Sequence, residues 1–234
     1  MQKIILLIIT VFLVMSCDKT KKDSNFQIDV TIKNVADGEK FYLKKQVDRK
    51  IIILDSTVVD NGKFSFKGVI KEPIQFGIFD ANNRRDGIFP LVDLNDNIKI
   101  TAYKDSLIKS IVLGSKLHDV LAKMSKKRER LGKKIQAYMP EYQKATFSND
   151  SIKKIEINKK VKAISNKMNL NDWNFVKNNP NSYVSPIILK SLMTNVEYKD
   201  SINIVFNNFS DKIKNSELSK PIKEYFDKNN KTKQ

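Results

Sequence analysis

Residues 60–67, Asp60-Asn61-Gly62-Lys63-Phe64-Ser65-Phe66-Lys67, carry the clearest folding signal in this chain. Asn-Gly is typical of a tight turn between antiparallel strands, because both positions accept a positive φ. After the turn, polar and apolar residues alternate without a break, which places Phe64 and Phe66 on the same face of a strand. The stretch therefore predicts a β-hairpin whose two phenylalanines face a core.

Short strands and turns continue in both directions from this hairpin, over residues 26–114. Phe26, Ile28, Val30 and Ile32 alternate on one face of a first strand, and Pro73 marks a strand start or an edge strand. Further strands are predicted at 41–43, 51–59, 74–79, 87–92, 98–103 and 110–113. Seven or eight short strands in one segment predict an antiparallel β-sandwich or open barrel.

From residue 115 the apolar period lengthens to three or four residues, which indicates helices. Ser115 is a suitable N-cap for a first helix that Pro140 ends, and the apolar stripe of this helix is broken at Arg128. The stripe consists of Leu117, Leu121, Met124, Leu131, Ile135 and Tyr138. Further helices are predicted at 148–179, 185–193, 200–209 and 221–226. We therefore expect an α+β protein, with four to five helices over residues 115–228 and a polar tail over residues 229–234.

The first seventeen residues predict where the protein is located. Met1-Gln2-Lys3 is a short basic segment, residues 4–15 are almost wholly apolar, and Ser16 precedes Cys17. As a helix the apolar run reaches about 18 Å, which is too short for a hydrocarbon core of about 30 Å. We interpret residues 1–16 as a secretory signal; an uncleaved anchor and an ordinary signal without lipidation are the alternatives.

Leu13-Val14-Met15-Ser16-Cys17 resembles the lipobox of bacterial lipoproteins. The resemblance implies cleavage before Cys17, diacylglycerol on its sulfur, and a second, palmitate-type acylation of the new amino terminus. Two acyl signals hold a protein at a membrane stably, whereas one does not. Residues 17–25 have no apolar residue after the cysteine and predict a solvated tether. We therefore expect a lipid-anchored cell-envelope protein that faces the periplasm, with the choice between inner and outer membrane left open.

Residues 26–113 resemble the N-terminal domain of unknown function 4369 of thioredoxin-like bacterial lipoproteins. The motifs that carry this resemblance are Leu54-Asp55-Ser56-Thr57, residues 62–68, Pro73 and Gly114-Ser115. Residues 173–185 resemble the segment that precedes the thioredoxin domain in those thiol-disulfide interchange proteins. In that family an entry segment and a Trp-Cys-x-x-Cys active site follow, whereas this sequence ends at Gln234, where the entry segment would begin. The family's redox cysteines have no counterpart here, so the resemblance does not carry over the oxidoreductase activity.

The chain carries 43 Lys+Arg and 26 Asp+Glu, a net charge of +17. Residues 17–117 contain 18 basic and 14 acidic residues, whereas residues 118–234 contain 24 and 12, so the excess belongs to the helical half. A basic face for anionic lipid headgroups or acidic glycans is a candidate on the first helix, from Lys126, Lys127, Arg128, Arg130, Lys133 and Lys134. We favour the alternative, a solvated helix face in a lysine-rich chain, because 38 lysines stand against 5 arginines and phosphate or carboxylate recognition would favour arginine. Nucleic acid is a poor candidate, because the chain is exported.

One cysteine and one histidine exclude, within one chain, a disulfide, a CxxC redox centre and a Cys/His zinc site. His118, in the first turn of the first helix, is expected to be structural or exposed. Asp93 with Asp96, and Asp55 with Asp60, are candidate glycosidase pairs, but both lie at strand ends and turns, where aspartate is expected. No glycine-rich phosphate loop or metal-ligand spacing occurs, so no cofactor is predicted.

Two functions of different classes remain. The first is a non-catalytic envelope lipoprotein module that binds a protein partner or an envelope ligand, acting beside a separate thioredoxin-fold protein. A form that has lost its thioredoxin domain and retains packing or dimer contacts belongs to the same class. The second is a carboxylate-based glycan hydrolase, which needs two acidic residues facing each other across a cleft, one with a raised pKa. We expect the first, because the activity of the resembled family depends on a cysteine pair.

Overall fold

The computed structural model describes residues 24–47, 50–83, 86–193 and 199–231. In these ranges the strands are β1 (Phe26–Lys33), β2 (Lys40–Val47), β3 (Lys50–Val58), β4 (Lys63–Gly68), β5 (Ile74–Gln75), β6 (Gly77–Asp80), β7 (Leu91–Val92), β8 (Asp96–Tyr103) and β9 (Ile111–Leu113). The helices are α1 (Lys116–Gln136), α2 (Met139–Phe147), α3 (Ser151–Asn178), α4 (Val184–Leu192), α5 (Lys199–Asn207), α6 (Asp211–Lys214) and α7 (Lys220–Lys231), with 3₁₀ turns at Leu107–Lys109 and Glu217–Ser219. The predicted α+β class, with strands first and helices second, is confirmed.

The turn at residues 60–62 forms as predicted, but the two strands that it joins do not pair. Asn61 and Gly62 have φ angles of 49° and 67°, and the ends of the turn exchange two backbone hydrogen bonds of 2.9 Å. Beyond the turn, β4 leaves β3 and pairs antiparallel with β1, with Phe66 opposite Ile28. The predicted hairpin is therefore wrong beyond its turn.

The chain crosses from one sheet to the other at this turn. One sheet has the order β4-β1-β8-β9, the second has the order β3-β2-β6, and β5 pairs with β7. β1 and β8 run parallel, from Phe26 opposite Asp96 to Lys33 opposite Tyr103, so the first sheet is not wholly antiparallel as predicted. A parallel pair needs a long connection between its strands, and here that connection contains the whole second sheet.

The two larger sheets enclose an aromatic core. Phe64 and Phe66 are buried as predicted, and the ring of Phe64 stacks on that of Phe41 from the other sheet, with 4.6 Å between centroids. The alternating apolar face of β1 is buried with them. By pairing with β1, β4 buries both phenylalanines between the sheets, which favours this arrangement over a simple hairpin with β3.

The helices begin largely where the sequence predicts. The Ser115 hydroxyl accepts the backbone N–H of His118 at the start of α1, and the Asp150 carboxylate accepts the N–H of Lys153 at the start of α3. The apolar pattern does not predict α2, in which Pro140 occupies the first turn, where its missing N–H costs nothing. The helices pack around a second apolar core that includes Leu91 of β7. No helix in the described ranges combines the length and apolar character that a membrane crossing requires.

Candidate functional site

The divergence of β3 and β4 opens a cleft of about 490 Å³ at the edge of the strand region, which we call the edge cleft. Its larger apolar lining residues are Phe26, Leu43, Leu54, Ile70, Ile74 and Phe76. Its charged lining residues are Lys45, Asp55, Lys67, Lys71, Glu72 and Glu217. The site therefore combines an apolar lining with both signs of charge.

One wall of the edge cleft is β3, an edge strand. Among the described residues, β3 pairs with β2 on one side and with no strand on the other. Its apolar side chains are largely exposed, with Ile51 at 68% and Ile53 at 55%. The free N–H and C=O groups of a long apolar edge strand are a template for another strand, and proteins usually protect such edges. Over Ile51–Leu54, β3 carries neither a charged side chain nor a proline that would protect its edge.

A β-bulge directs β3 toward the cleft. Leu43 pairs with Asp55 and Lys44 pairs with Ile53, so Leu54 is the extra residue on β3. Residues directly opposite each other in a ladder lie on the same face. Asp55 therefore shares the inner face of the sheet with the buried Leu43, whereas Ile53 points to the outer face.

The opposite wall is fixed by side-chain hydrogen bonds. The Asn25 amide donates to the carbonyl of Ile70 at 2.7 Å and accepts the Ile70 N–H at 2.8 Å. The Glu72 carboxylate accepts the backbone N–H of Glu217 at 2.9 Å, which joins the cleft to the helical half. Since 145 residues separate Glu72 from Glu217, no local sequence pattern could have indicated this part of the site.

Neither of the aspartate pairs considered for glycosidase chemistry lines the edge cleft as a pair. Asp55 lines the edge cleft, whereas Asp60 lies in the turn and accepts the side-chain amide of Asn61 at 2.9 Å. Asp96 accepts the backbone N–H of Asp93 at 2.7 Å, within one turn between β7 and β8. These contacts are typical of aspartates that stabilise turns.

His118 connects the two halves of the chain. Its Nδ1 accepts the backbone N–H of Leu91 at 3.2 Å, while Ser115 Oγ donates to the Leu91 carbonyl at 2.9 Å. Burial lowers the pKa of His118, and the nearby Asp119 carboxylate opposes this effect. The expectation of a structural histidine is consistent with these contacts, because Nδ1 can accept this bond only when it is unprotonated.

Five of the six predicted basic residues of α1 share one exposed side of the helix, whereas Arg128 does not. At 100° per residue, Lys126, Arg130 and Lys134 lie on one side of the helix, together with Lys127 and Lys133, and all five are exposed. Lys133 also forms an ion pair of 2.6 Å with Glu129. Arg128 lies on the other side, toward α3 and α4, because it occupies a position in the apolar stripe.

Arg128 is instead part of a buried polar contact between helices. Its Nη1 bonds to the Asp172 carboxylate of α3 and donates to Ser191 Oγ of α4 at 3.0 Å. Asp172 is fully buried. Burial raises the pKa of the Asp172 carboxyl, and the charge of Arg128 opposes this rise. The break in the stripe at Arg128 was the sequence signal of this contact.

Two further predictions from the sequence concern the lipid anchor and metal binding. Cys17, the signal at residues 1–16 and all but Ser24 and Asn25 of the tether lie outside the described residues, so lipidation stays a prediction. Within the described ranges, no group of three or more His, Cys, Asp or Glu side chains could hold a metal ion.

Comparison with known proteins identifies one part of the chain. Residues 26–121 match the model of a domain of unknown function, DUF4369, which covers the strands and the first turns of α1. No curated protein and no solved structure matches the chain. Residues 26–121 are thus a DUF4369 domain, and the edge cleft lies mainly within it.

Proposed function

We propose that this protein is a non-catalytic, lipid-anchored module of the cell envelope that binds an extended segment of a protein partner. The segment adds a strand to the free edge of β3 and places side chains in the edge cleft. The observation that carries this proposal is that β3, nine residues long and apolar, pairs on one side only and lines a cleft of about 490 Å³.

Strand addition explains why β3 pairs on one side only and why it lines a cleft. In this mode of recognition, hydrogen bonds between main chains supply affinity, and alternate side chains enter pockets that supply specificity. The free edge of β3 offers the hydrogen bonds, and the apolar lining around Leu43, Leu54 and Phe76 offers the pocket.

The charges of the cleft favour a peptide over a purely anionic ligand. Lys45, Lys67 and Lys71 are matched by three carboxylates, those of Asp55, Glu72 and Glu217. Such a balance suits a polypeptide with side chains of both signs, whereas an anionic glycan or phosphate would meet the carboxylates as like charges.

The location and the partner follow from the predicted lipid anchor at Cys17. An acylated cysteine would hold the chain at a periplasm-facing membrane, within reach of other envelope proteins. A separate thioredoxin-fold protein is the partner class that the lipoprotein resemblance suggests, because this sequence has a single cysteine and cannot supply a redox pair itself.

A carboxylate-based glycan hydrolase is the second candidate, favoured by the presence of Asp55 and Glu72 in one cleft. Glu72 is however engaged by the Glu217 N–H. The carboxyl of Asp172, whose pKa burial raises, binds Arg128 in the helical half. Hydrolysis of envelope glycans by the purified chain, lost in Asp55→Asn and Glu72→Gln, would establish this alternative.

The proposal is tested by photo-crosslinking in cells from a reactive amino acid at position 54, in the cleft, or at position 204, exposed on α5. We expect one discrete protein adduct from Leu54 and none from Ile204. The adduct should disappear in Ile52→Lys, because an inward-facing edge lysine opposes strand addition. Adducts from Ile204 alone, or an adduct that survives Ile52→Lys, would contradict the proposal.

A further inference from the structure

The outer face of the β3-β2-β6 sheet combines aromatic and aliphatic side chains with lysines. Tyr42 lies opposite Ser56 and Phe79, and Lys44 lies opposite Ile53 and Gly77, so these side chains share one face. The neighbouring pairs Lys40–Val58 and Gln46–Ile51 lie on the same face. We call this surface, including Phe89, the outer sheet face.

The apolar residues of the outer sheet face are accessible. In addition to the two isoleucines of β3, Val58 is 53% exposed and Phe89 is 42% exposed. The rings of Phe79 and Phe89 meet edge to face at 5.5 Å between centroids, which extends the aromatic surface beyond the sheet. Soluble proteins rarely expose contiguous apolar surface unless something contacts it.

Lysines overlie the aromatic part of this face. Lys40 Nζ lies 5.3 Å from the Tyr42 ring centroid, and Lys44 Nζ lies 4.8 Å from that of Phe79. The aspartates of these strands point to the other side, because Asp55 is opposite Leu43 and Asp80 is opposite Phe41. Among the described residues of β2, β3 and β6, the outer sheet face therefore carries positive charge and no carboxylate.

We propose that the outer sheet face contacts an anionic phospholipid surface, with the tyrosine and phenylalanine rings at headgroup level and Lys40 and Lys44 near lipid phosphates. Aromatic rings flanked by lysines are favoured at membrane interfaces, and lysines are attracted to anionic lipid. A second copy of the chain on the same face would instead bring lysines against lysines.

The strand region begins close to the predicted anchor along the chain. The rings of Phe26 in β1 and Phe76, the residue before β6, lie 5.2 Å apart. From Cys17 to Phe26 an extended chain spans about 30 Å at most. The inference uses the lipid anchor of the proposed function for orientation in the cell, whereas the contact itself depends on the outer sheet face.

The test places an environment-sensitive fluorophore on the purified lipoprotein at Ile53→Cys or, as control, at Ile204→Cys. Each protein is reconstituted into vesicles of phosphatidylcholine alone or with one third phosphatidylglycerol. In the anionic vesicles we expect a blue-shifted emission from position 53 that is protected from aqueous quencher, and no change from position 204. Low salt should strengthen the signal and high salt should weaken it.

Matched charge variants separate this face from the general basic character of the chain. Lys40→Gln with Lys44→Gln should lower the ratio of docked to undocked protein by about 25-fold, or roughly 5-fold for each lysine. Lys159→Gln with Lys162→Gln, both exposed on α3, removes the same charge and should leave the ratio unchanged. Circular dichroism of each variant verifies that it is folded.

An unshifted emission at position 53 in anionic vesicles, or an equal loss in the α3 variant, would overturn the inference. Mass spectrometry of the same samples shows independently whether Cys17 is lipidated. If Cys17 is unmodified, the anchor is refuted, and each labelled variant, prepared with Cys17→Ser and added to preformed vesicles, still decides whether the outer sheet face binds lipid.

Discussion

Removal of the Arg128 guanidinium should destabilise the helical half, because Arg128 neutralises a fully buried carboxylate. Arg128→Met retains most of the aliphatic stem and leaves Asp172 without its cation. The Oδ1 atom of Asp172 already has no hydrogen-bond partner among the described residues. The variant thus leaves a buried carboxylate without its cationic partner.

The loss should be about 3 kcal/mol at pH 7. Breaking a buried ion pair by removing one partner costs about 3–5 kcal/mol. The lower end applies here, because the Arg128 side chain is 34% exposed and water already screens part of the pair. Lys126→Met, on the exposed side of the same helix, should change the free energy of unfolding by less than about 0.5 kcal/mol.

The fluorescence of Trp173, the residue next to Asp172, can follow urea unfolding and so measure this loss of stability. With a slope of about 2–3 kcal/mol per molar urea, the midpoint should fall by roughly 1–1.5 M. Burial raises the Asp172 pKa in the folded state, and loss of Arg128 raises it further. The deficit is therefore complete above that raised pKa and shrinks as the pH falls through it.

Asp172→Asn combined with Arg128→Met should recover most of the loss, since no charge is then buried. A loss below about 1 kcal/mol for Arg128→Met alone, or a deficit that grows as the pH falls, would refute the reasoning.

Three further predictions concern the junction between strands and helices. Burial lowers the pKa of His118, so the unfolded state takes up a proton at a higher pH than the folded state does. The melting temperature should therefore fall as the pH drops below about 6.5. His118→Asn should remove this part of the pH dependence. Ser115→Ala should cost about 1–2 kcal/mol in urea unfolding, because it loses the helix cap and the bond to Leu91, and a change below about 0.5 kcal/mol would contradict this. Gly114→Ala should cost more than about 1 kcal/mol, since Gly114 has a φ of 94° and a Cβ would meet the Asn97 carbonyl; Gly132→Ala, where a Cβ meets nothing within 4 Å, should instead stabilise.

Local signals in the sequence predicted local structure well. The turn at Asn61-Gly62, the cap at Ser115 and the buried faces of β1 and β4 all follow from residue types within a few positions of each other. Strand pairing does not follow from nearby residue types, because the partner of β4 depends on where Phe64 and Phe66 can be buried. A two-residue turn favours a hairpin only while no other strand buries the same side chains better.

The edge cleft could be predicted even less, because it exists where two strands fail to pair. Its residues come from five strands, the connections from β4 to β5 and from β5 to β6, and Glu217 in the helical half. Among its charged residues only Asp55 is a candidate from the sequence, and for a pairing with Asp60 that the structure does not make. The charge of Arg128 suggested a basic face, whereas its position in the apolar stripe of α1 indicated a buried contact.

Extension of the free edge of β3 by a partner can be measured by amide hydrogen exchange on the complex isolated through the Leu54 crosslink. Strand addition predicts that the amides of residues 50–58 that face the free edge, rather than β2, exchange rapidly in the free protein and become protected in the complex, whereas those at the exposed end of α2 are unchanged. Protection confined to the helices, with β3 exchanging as in the free protein, would contradict it.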